Sequence, residues 1–306
     1  MFIEEYLQDV RAAKYSPAAW ARYISRIWLR GRADVSANPG AARSVLVLGL
    51  VFFALTFAGC VLLGMSHAVD TARRVLVATG LWLIPLTTGL VLHVGLLRNR
   101  EGYSLSAINP ATVLTVARLA VVPALCYTLV EGHAQAAFWI FIAAMASDVL
   151  DGWLARSMRQ ETGLGKILDP ITDIVFGLAL FLAMRAAGLV TPVAAALAIL
   201  RYGGFLAGGF FLYVTHGPVR INSTLPGKIG GLLLGVIVGF LLLGPAYGAG
   251  RFGYVLTPLA RDAVVVMLAA GVLHGAVLGW HNWKHAEDTP EKVIRARFGA
   301  GGRANP

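Results

Sequence analysis

Long apolar runs recur along the chain and are separated by short polar links. An α-helix needs about 20 apolar residues to cross the hydrocarbon core of a bilayer. Eight stretches qualify, at approximately 44–66, 72–96, 112–131, 134–154, 168–188, 190–214, 226–246 and 260–280. The pattern predicts an all-α fold, a polytopic membrane helix bundle with about eight transmembrane helices.

The polar segments divide the chain into four parts. Residues 1–43 interleave aromatic with basic side chains, which indicates amphipathic helices that lie either on anionic lipid or against the rest of the protein. Residues 44–100 form a two-helix transmembrane extension, residues 101–283 a six-helix domain, and residues 284–306 a polar tail.

Composition and charge agree with a membrane protein. The chain is 57% hydrophobic and 14% charged, against roughly 25% charged residues in soluble proteins. The net charge of +10 comes mainly from segments between the apolar runs, where basic residues orient a membrane protein. Their bias places both termini in the cytoplasm, and nucleic-acid binding is not expected. Cys60 and Cys126 lie in apolar runs and form no C-x-x-C pair.

Small residues recur in the seventh predicted span. Gly231, Gly235 and Gly239 form consecutive G-x-x-x-G steps, which let helices approach closely. The spacing predicts helix packing, either within a subunit or between subunits.

Four aspartates are concentrated where the fourth and fifth predicted spans meet. Asp148 and Asp151 are three residues apart, and Asp169 and Asp173 are four apart, so each pair shares a helix face. Because the two spans are antiparallel, both pairs should lie at the same membrane depth. Carboxylates this close need cations to stay ionised, and oxygen ligands favour Mg²⁺ or Mn²⁺. The sequence therefore predicts a site for two metal ions of the kind that clamps a transferring phosphoryl group.

A structural ion-pair cluster is the alternative for these acids. Arg156, Arg159 and Lys166 lie in the same link and could neutralise them. Such a cluster does not account for Gly152 and Gly165 at regular spacing beside the acids. Gly152 lets a ligand approach the helix backbone, and the Arg156 guanidinium suits a diphosphate.

The segment from Asp148 to Asp173 reads D-x2-D-G-x2-A-R-x8-G-x3-D-x3-D and resembles the signature of the CDP-alcohol phosphotransferase family. The segment from Asn109 to Arg118, N-P-A-T-V-L-T-V-A-R, resembles the first-helix motif of phosphatidylglycerophosphate synthases in that family. Six predicted spans, from about residue 108 to residue 282, match the usual core of the family. The first 100 residues have no counterpart in that core.

The resemblance implies a reaction and a role for each matched residue. A phosphatidyl group would pass from a donor such as CDP-diacylglycerol to an alcohol acceptor, with release of CMP, at the cytoplasmic face of a bacterial inner membrane. A homodimer is also implied. Asp148, Asp151 and Asp169 would bind the metal ions, and Asp173 would complete that site and act as the general base. The donor's CDP would contact Gly152, Arg156 and Thr162, with Asn109 and Thr112 nearby.

The acceptor is indicated by a few basic residues in the second half of the chain. Arg201, Arg220 and Lys228 could anchor the topology or could bind a phosphate on the acceptor. Gly227-Lys228 resembles the Gly-Lys of relatives that use phosphorylated acceptors, although Ile229 and Tyr202 stand where those relatives carry polar residues. Glycerol 3-phosphate is the expected acceptor; inositol phosphate, serine and other alcohols are the alternatives.

Arg118 lies nearly two turns into the third predicted span, deeper than an anchoring arginine should be. It could snorkel to the interface, pair with one of the four acids, or bind a ligand phosphate.

Two other functions are compatible with acids in a membrane domain. A cation-coupled transporter would place them near the membrane midplane on broken helices, whereas here they lie at one end of their spans. The second alternative is a non-catalytic member of the family, and the intact Asp173 argues against it.

Overall fold

The computed structural model describes residues 2–66, 68–99, 102–157, 162–216, 224–248 and 250–285. The helices in these ranges are α1 Phe2–Ala12, α2 Pro17–Ala37, α3 Pro39–Met65, α4 Val69–Leu92, α5 Pro110–Ala120, α6 Val122–Val130, α7 Ala134–Ser157, α8 Gly163–Ala186, α9 Pro192–Ala198, α10 Gly204–His216, α11 Leu225–Tyr247 and α12 Gly250–His285. A 3₁₀ turn covers Val94–Leu96, and a π-helical turn covers Ile199–Gly203 between α9 and α10.

Within the ranges that the structure describes, eight helical segments are long and apolar enough to cross a membrane, which confirms the predicted bundle. Two of the eight are composite, because α5 continues into α6 and α9 continues through the π turn into α10. The helices extend beyond several predicted spans: α12 begins at Gly250 instead of residue 260, and α8 begins at Gly163 instead of residue 168. For α8 the reason is local: the Thr162 hydroxyl accepts a hydrogen bond from the Gly165 backbone N–H and so caps this helix earlier.

The junction between α5 and α6 has a specific cause. Pro123 has no N–H, so it cannot bond to the carbonyl of Leu119 one turn earlier. The Trp82 indole on α4 donates to that carbonyl instead, at 2.8 Å. Helix α4, from residues 44–100, therefore supplies a hydrogen bond to the Leu119 carbonyl that Pro123 cannot supply.

The helices α5 and α8 lie at the centre of the bundle. Their buried residues belong to two hydrophobic clusters. One is built around Phe141, Phe181 and Leu268, and the other joins α3 and α4 to α5 and α8 through Val45, Leu97 and Leu164. The second cluster shows that residues 44–100 pack directly on α8, the helix that carries Asp169 and Asp173.

The first two helices pack on the protein and also expose an apolar face. Leu7 and Val10 of α1 are buried, and the Arg11 guanidinium donates to the carbonyls of Tyr213 and Val214 near the end of α10. Ile24, Trp28 and Leu29 of α2 remain at least half exposed. Of the two arrangements left open by the sequence, packing against the protein is therefore present, beside a face that suits lipid.

Two of the three G-x-x-x-G glycines pack within the subunit. A methyl group added at Gly235 would lie 3.4 Å from the Met145 sulfur, and one at Gly239 would lie 3.4 Å from the Phe141 ring. Both neighbours are on α7. A methyl group at Gly231 would meet no described atom within 4 Å. Close packing of α11 on α7 therefore explains Gly235 and Gly239, but not Gly231.

Candidate active site

The four aspartates gather at one end of the bundle, which is called the acidic end below. Asp148 and Asp151 lie near the end of α7, and Asp169 and Asp173 lie in the first three turns of α8. The predicted convergence is present, and the residue that joins the acids is Arg118 of α5.

Arg118 pairs with three of the four carboxylates. Its Nη2 lies 2.8 Å from Asp148 and 2.6 Å from Asp151, and its Nη1 lies 2.8 Å from Asp173. The Arg118 side chain is only 3% exposed, whereas Asp148 and Asp173 are 51% and 63% exposed. The arginine therefore forms the buried floor of the site, and two of its acids face an open side.

Thr115 joins the fourth aspartate to the others. Its hydroxyl oxygen lies 3.3 Å from Asp151 and 3.2 Å from Asp169, and it also lies 3.2 Å from the carbonyl of Ala111. A hydroxyl has one proton, so it donates to one of these acceptors at a time. Thr115 lies three residues before Arg118 on α5, so the same face of that helix touches all four acids.

A buried polar cluster lies at the starts of α5 and α8. Asn109, Thr112 and Thr162 are each less than 5% exposed, and the Thr112 hydroxyl donates to the Asn109 side chain. A methyl group at Gly165 would lie 3.3 Å from the Thr162 hydroxyl and 3.4 Å from that of Thr112. These residues, predicted from separate motifs, are therefore neighbours.

The other predicted donor contacts lie on α7. Gly152 is half-buried and directly follows Asp151, so it belongs to the acidic end. Arg156 lies on the last turn of α7, but its side chain falls outside the described residues.

The first turn of α8 contacts the backbone of the link that follows α4. The Gly163 N–H donates to the carbonyl of Arg98 at 3.2 Å, just after the 3₁₀ turn. A methyl group at Gly163 would lie 3.2 Å from the carbonyl oxygen of Leu96. The link from α4 to α5 thus supports the first turn of the helix that carries Asp169 and Asp173.

Arg201 lies in the π turn and points at α12. Its guanidinium occupies space beside Gly271, where a methyl group would lie 2.6 Å from the Arg201 Cζ. Its guanidinium carbon also lies 5.6 Å from the centre of the Tyr202 ring, and its Nη1 lies 3.5 Å from the carbonyl of Met267. No carboxylate in the described part of the chain pairs with Arg201. π turns within helices are frequent at functional sites.

Lys228 lies near the start of α11 and is exposed. Helices α11 and α7 are antiparallel, and Gly235 of α11 lies beside Met145 of α7. Lys228 is seven residues before Gly235, so it lies nearer the acidic end, about level with Gly152. Thr224 caps this helix and shares a hydrogen bond of 2.7 Å with His274 of α12. Arg220 falls outside the described residues.

The arrangement bears on the predicted metal site in two ways. Among the described residues, no group of three or more His, Cys, Asp and Glu side chains forms a ready metal-ligand set. The carboxylates are instead held by an internal cation, Arg118. Carboxylate oxygens are nevertheless the ligands that a hard divalent cation requires, and two of the four carboxylates, Asp148 and Asp173, lie on an exposed side.

The sequence missed three parts of this site. Thr115 could have been recognised because it shares a helix face with Thr112 and Arg118. Gly271 and the Leu96 to Arg98 segment gave no signal, since each matters only through a neighbour distant in sequence.

Taken together, the fold and site define a polytopic helical membrane protein with an acidic site at one end of the bundle. The family model for CDP-alcohol phosphatidyltransferase matches residues 108–277, more than half of the chain. The chain therefore belongs to the CDP-alcohol phosphatidyltransferase family, which confirms the resemblance noted for the motif from Asp148 to Asp173.

Similar proteins carry two kinds of name. A Mycobacterium tuberculosis protein with the provisional name cardiolipin synthase is 33% identical over 137 residues, which are 43% of this chain and 63% of that protein. A rat protein named cardiolipin synthase (CMP-forming) is 31% identical over 176 residues, 56% of this chain and 53% of that protein. An Aquifex aeolicus protein named CDP-diacylglycerol–glycerol-3-phosphate 3-phosphatidyltransferase is 35% identical over 69 residues, 22% of this chain and 39% of that protein.

The chain thus spans less than two thirds of the length of these relatives. No solved structure matches it.

Proposed function

We propose that this protein transfers a phosphatidyl group from a CDP-alcohol such as CDP-diacylglycerol to an alcohol acceptor, with release of CMP, in phospholipid biosynthesis. The observation that carries the proposal is the gathering of Asp148, Asp151, Asp169 and Asp173 around Arg118 and Thr115, inside the segment that matches the family. The transporter alternative has no comparable support, because the acids lie at one end of continuous helices.

The proposed cofactor is a pair of divalent cations, Mg²⁺ or Mn²⁺, held by the four aspartates. Carboxylate oxygens are the ligands that such ions prefer, and Asp148 and Asp173 are open to an entering ion. Bound there, the ions would neutralise negative charge on the donor's diphosphate. Arg118 keeps the carboxylates together, and its buried Nε has no hydrogen-bond partner in the described structure.

The donor would lie across the acidic end with its lipid part in the bilayer. Asn109, Thr112 and Thr162 form a buried polar wall for the CDP group, with Gly152 and Arg156 on the facing helix. On α7, Val149 and Trp153 are 66% and 60% exposed and lie beside the acids. This apolar exposed face suits acyl chains that enter from the membrane.

Asp173 is the proposed general base. Its carboxylate would accept the proton of the acceptor hydroxyl, whose oxygen then attacks the phosphorus that carries the phosphatidyl group. A new P–O bond forms as the P–O bond to CMP breaks, and the electron pair leaves with CMP. The 63% exposure of Asp173 leaves room for the acceptor beside it.

The proposed acceptor offers a glycerol hydroxyl near a phosphate. Glycerol 3-phosphate has this chemistry and is favoured by Gly227-Lys228 and by the name of the Aquifex relative. Phosphatidylglycerol also has it, and the relatives that cover more of the chain are named cardiolipin synthases. In either case Arg201 and Lys228, with Arg220 in the adjoining link, are the proposed phosphate contacts.

The proposed membrane location and orientation follow from the apolar spans and the basic links between them. The eight spans place the protein in a membrane, and the basic residues of the links favour a cytoplasmic acidic end with both termini on that side. We propose a bacterial inner membrane and a homodimer on the strength of the family resemblance.

The test is acceptor-dependent release of CMP. Purified full-length protein would be incubated with Mg²⁺ or Mn²⁺ and CDP-diacylglycerol, and separately with glycerol 3-phosphate, phosphatidylglycerol, inositol phosphate, serine or no acceptor. CMP and the lipid product would be quantified in each reaction. The proposal expects CMP release with at least one glycerol acceptor and its loss on chelation of the metal; no release with any acceptor would refute it.

A further inference from the structure

A second feature of the protein lies outside the segment that matches the family. An open cleft of about 380 Å³ lies between α2, α3 and α4, in the first 100 residues. Its lining includes Trp28, Arg32, Ser36, Leu46, Thr88 and Leu92. The proposed phosphatidyl transfer makes no use of these residues.

The lining is divided between polar and apolar groups in the way that a membrane interface requires. Arg32 and Ser36 lie near the end of α2, shortly before α3 begins at Pro39. The exposed apolar side chain of Leu46 lies two turns into α3, with Leu92 opposite it at the end of α4. Trp28 is 51% exposed, and tryptophan is enriched at membrane interfaces.

Arg32 supplies the charge that distinguishes this cleft from an ordinary lipid-facing groove. The carboxylate of Asp34 is taken by Arg30, at 3.2 Å, and Asp34 is itself buried toward Gly95. No carboxylate among the described residues pairs with Arg32, which is exposed at the cleft. A guanidinium at the interface, above apolar walls, complements a phosphate that carries acyl chains.

We propose that this cleft binds one anionic phospholipid. Its phosphate contacts Arg32, its head group lies beside Ser36 and Trp28, and an acyl chain follows Leu46 and Leu92. The bound lipid ties α2 to the ends of α3 and α4. It thereby supports the 3₁₀ turn, since Asp34 packs on Gly95 within it.

The experiment measures lipid retention by native mass spectrometry on the delipidated full-length protein. Phosphatidylglycerol and phosphatidylcholine with identical acyl chains are titrated separately into the wild type, Arg32→Gln and Arg43→Gln. Arg43→Gln removes the same charge from an exposed position on α3 that does not line the cleft. We expect one phosphatidylglycerol to be retained by the wild type and by Arg43→Gln, and to bind about fivefold more weakly to Arg32→Gln.

Other outcomes would overturn the proposal. Equal retention of phosphatidylglycerol by Arg32→Gln and the wild type would show that Arg32 does not bind the head group. Equal retention of the two lipids would exclude recognition of charge. Loss of the difference between the wild type and Arg32→Gln in millimolar inorganic phosphate would assign the cleft to a free phosphate. Any phosphatidylglycerol held at the proposed acceptor site is retained equally by Arg32→Gln and Arg43→Gln. The difference between these two variants therefore tests the cleft independently of the proposed phosphatidyl transfer.

Discussion

Arg118 on α5 and Asp151 on α7 are joined by an ion pair of 2.6 Å at the buried floor of the acidic end. The same guanidinium reaches Asp148 and Asp173. One cation from a third helix thus holds together carboxylates from two others. Removing one member of a buried charge cluster is costlier than removing an exposed pair, because the remaining charges stay unbalanced. The predictions below follow from this site and its supports.

Replacement of Arg118 by Met should destabilise the metal-free protein by about 3 kcal/mol. This is the lower end of the cost of breaking a buried ion pair, because two of the paired acids, Asp148 and Asp173, are exposed. Mg²⁺ should recover part of this loss, since a divalent cation can replace the missing charge. The thermal midpoint in detergent, with Mg²⁺ and with a chelator, measures both effects.

The matched control for Arg118 is Arg74→Met. Arg74 pairs with Glu131 at an exposed position, and exposed pairs contribute about 0–1 kcal/mol. Equal midpoints for the two variants, or no response of Arg118→Met to Mg²⁺, would contradict a role for Arg118 as the internal counter-cation.

Replacement of Asp173 by Asn should lower the rate of CMP release by about 10² to 10⁴, the usual contribution of a general base. The amide keeps the shape of the side chain but cannot take the proton. Initial rates at saturating donor and acceptor give the measurement. Asp70→Asn, at an exposed position in the first turn of α4, is the control and should leave the rate unchanged; full activity in Asp173→Asn would rule out this base.

Replacement of Gly271 by Ala should raise the KM for a phosphate-bearing acceptor about tenfold, as expected from losing a hydrogen bond to a charged group. The added methyl group overlaps the Arg201 guanidinium and displaces it. Because arginine is long and flexible, the thermal midpoint should change little.

Gly275→Ala, on the same helix, tests whether position matters. A methyl group at Gly275 would meet no described atom within 4 Å, so KM should stay at the wild-type value. An unchanged KM in Gly271→Ala as well would leave Arg201 with no part in acceptor binding.

Replacement of Gly95 by Ala should destabilise the protein by about 1–3 kcal/mol, the usual cost of overpacking. The methyl group would lie 2.6 Å from the Cγ of the buried Asp34 and would separate α2 from the 3₁₀ turn. The thermal midpoint is the measurement. Gly89→Ala, where a methyl group meets no described atom within 4 Å, should not lower it, and a similar fall in both variants would argue against a specific contact.

Much of the fold could be predicted because its signals are local. A run of about 20 apolar residues defines a span wherever it occurs, and eight such runs became eight spanning segments. The first residue of a helix is set by more than its apolar run. In α8 a single capping hydroxyl, that of Thr162, extends the helix beyond that run. The π turn at Arg201 was not predicted, since its local sequence carries no distinguishing period.

The amino-acid sequence by itself determined the class of fold, the family and the convergence of the four aspartates. Each of these depends on residues close in the chain: apolar runs, a motif of 26 positions from Asp148 to Asp173, and carboxylates on one helical face. Only the tertiary structure decided that Arg118 pairs with three of the acids, that Trp82 satisfies the Leu119 carbonyl and that Gly271 admits Arg201. Those contacts join helices far apart in sequence, and packing across the whole bundle sets which helices become neighbours.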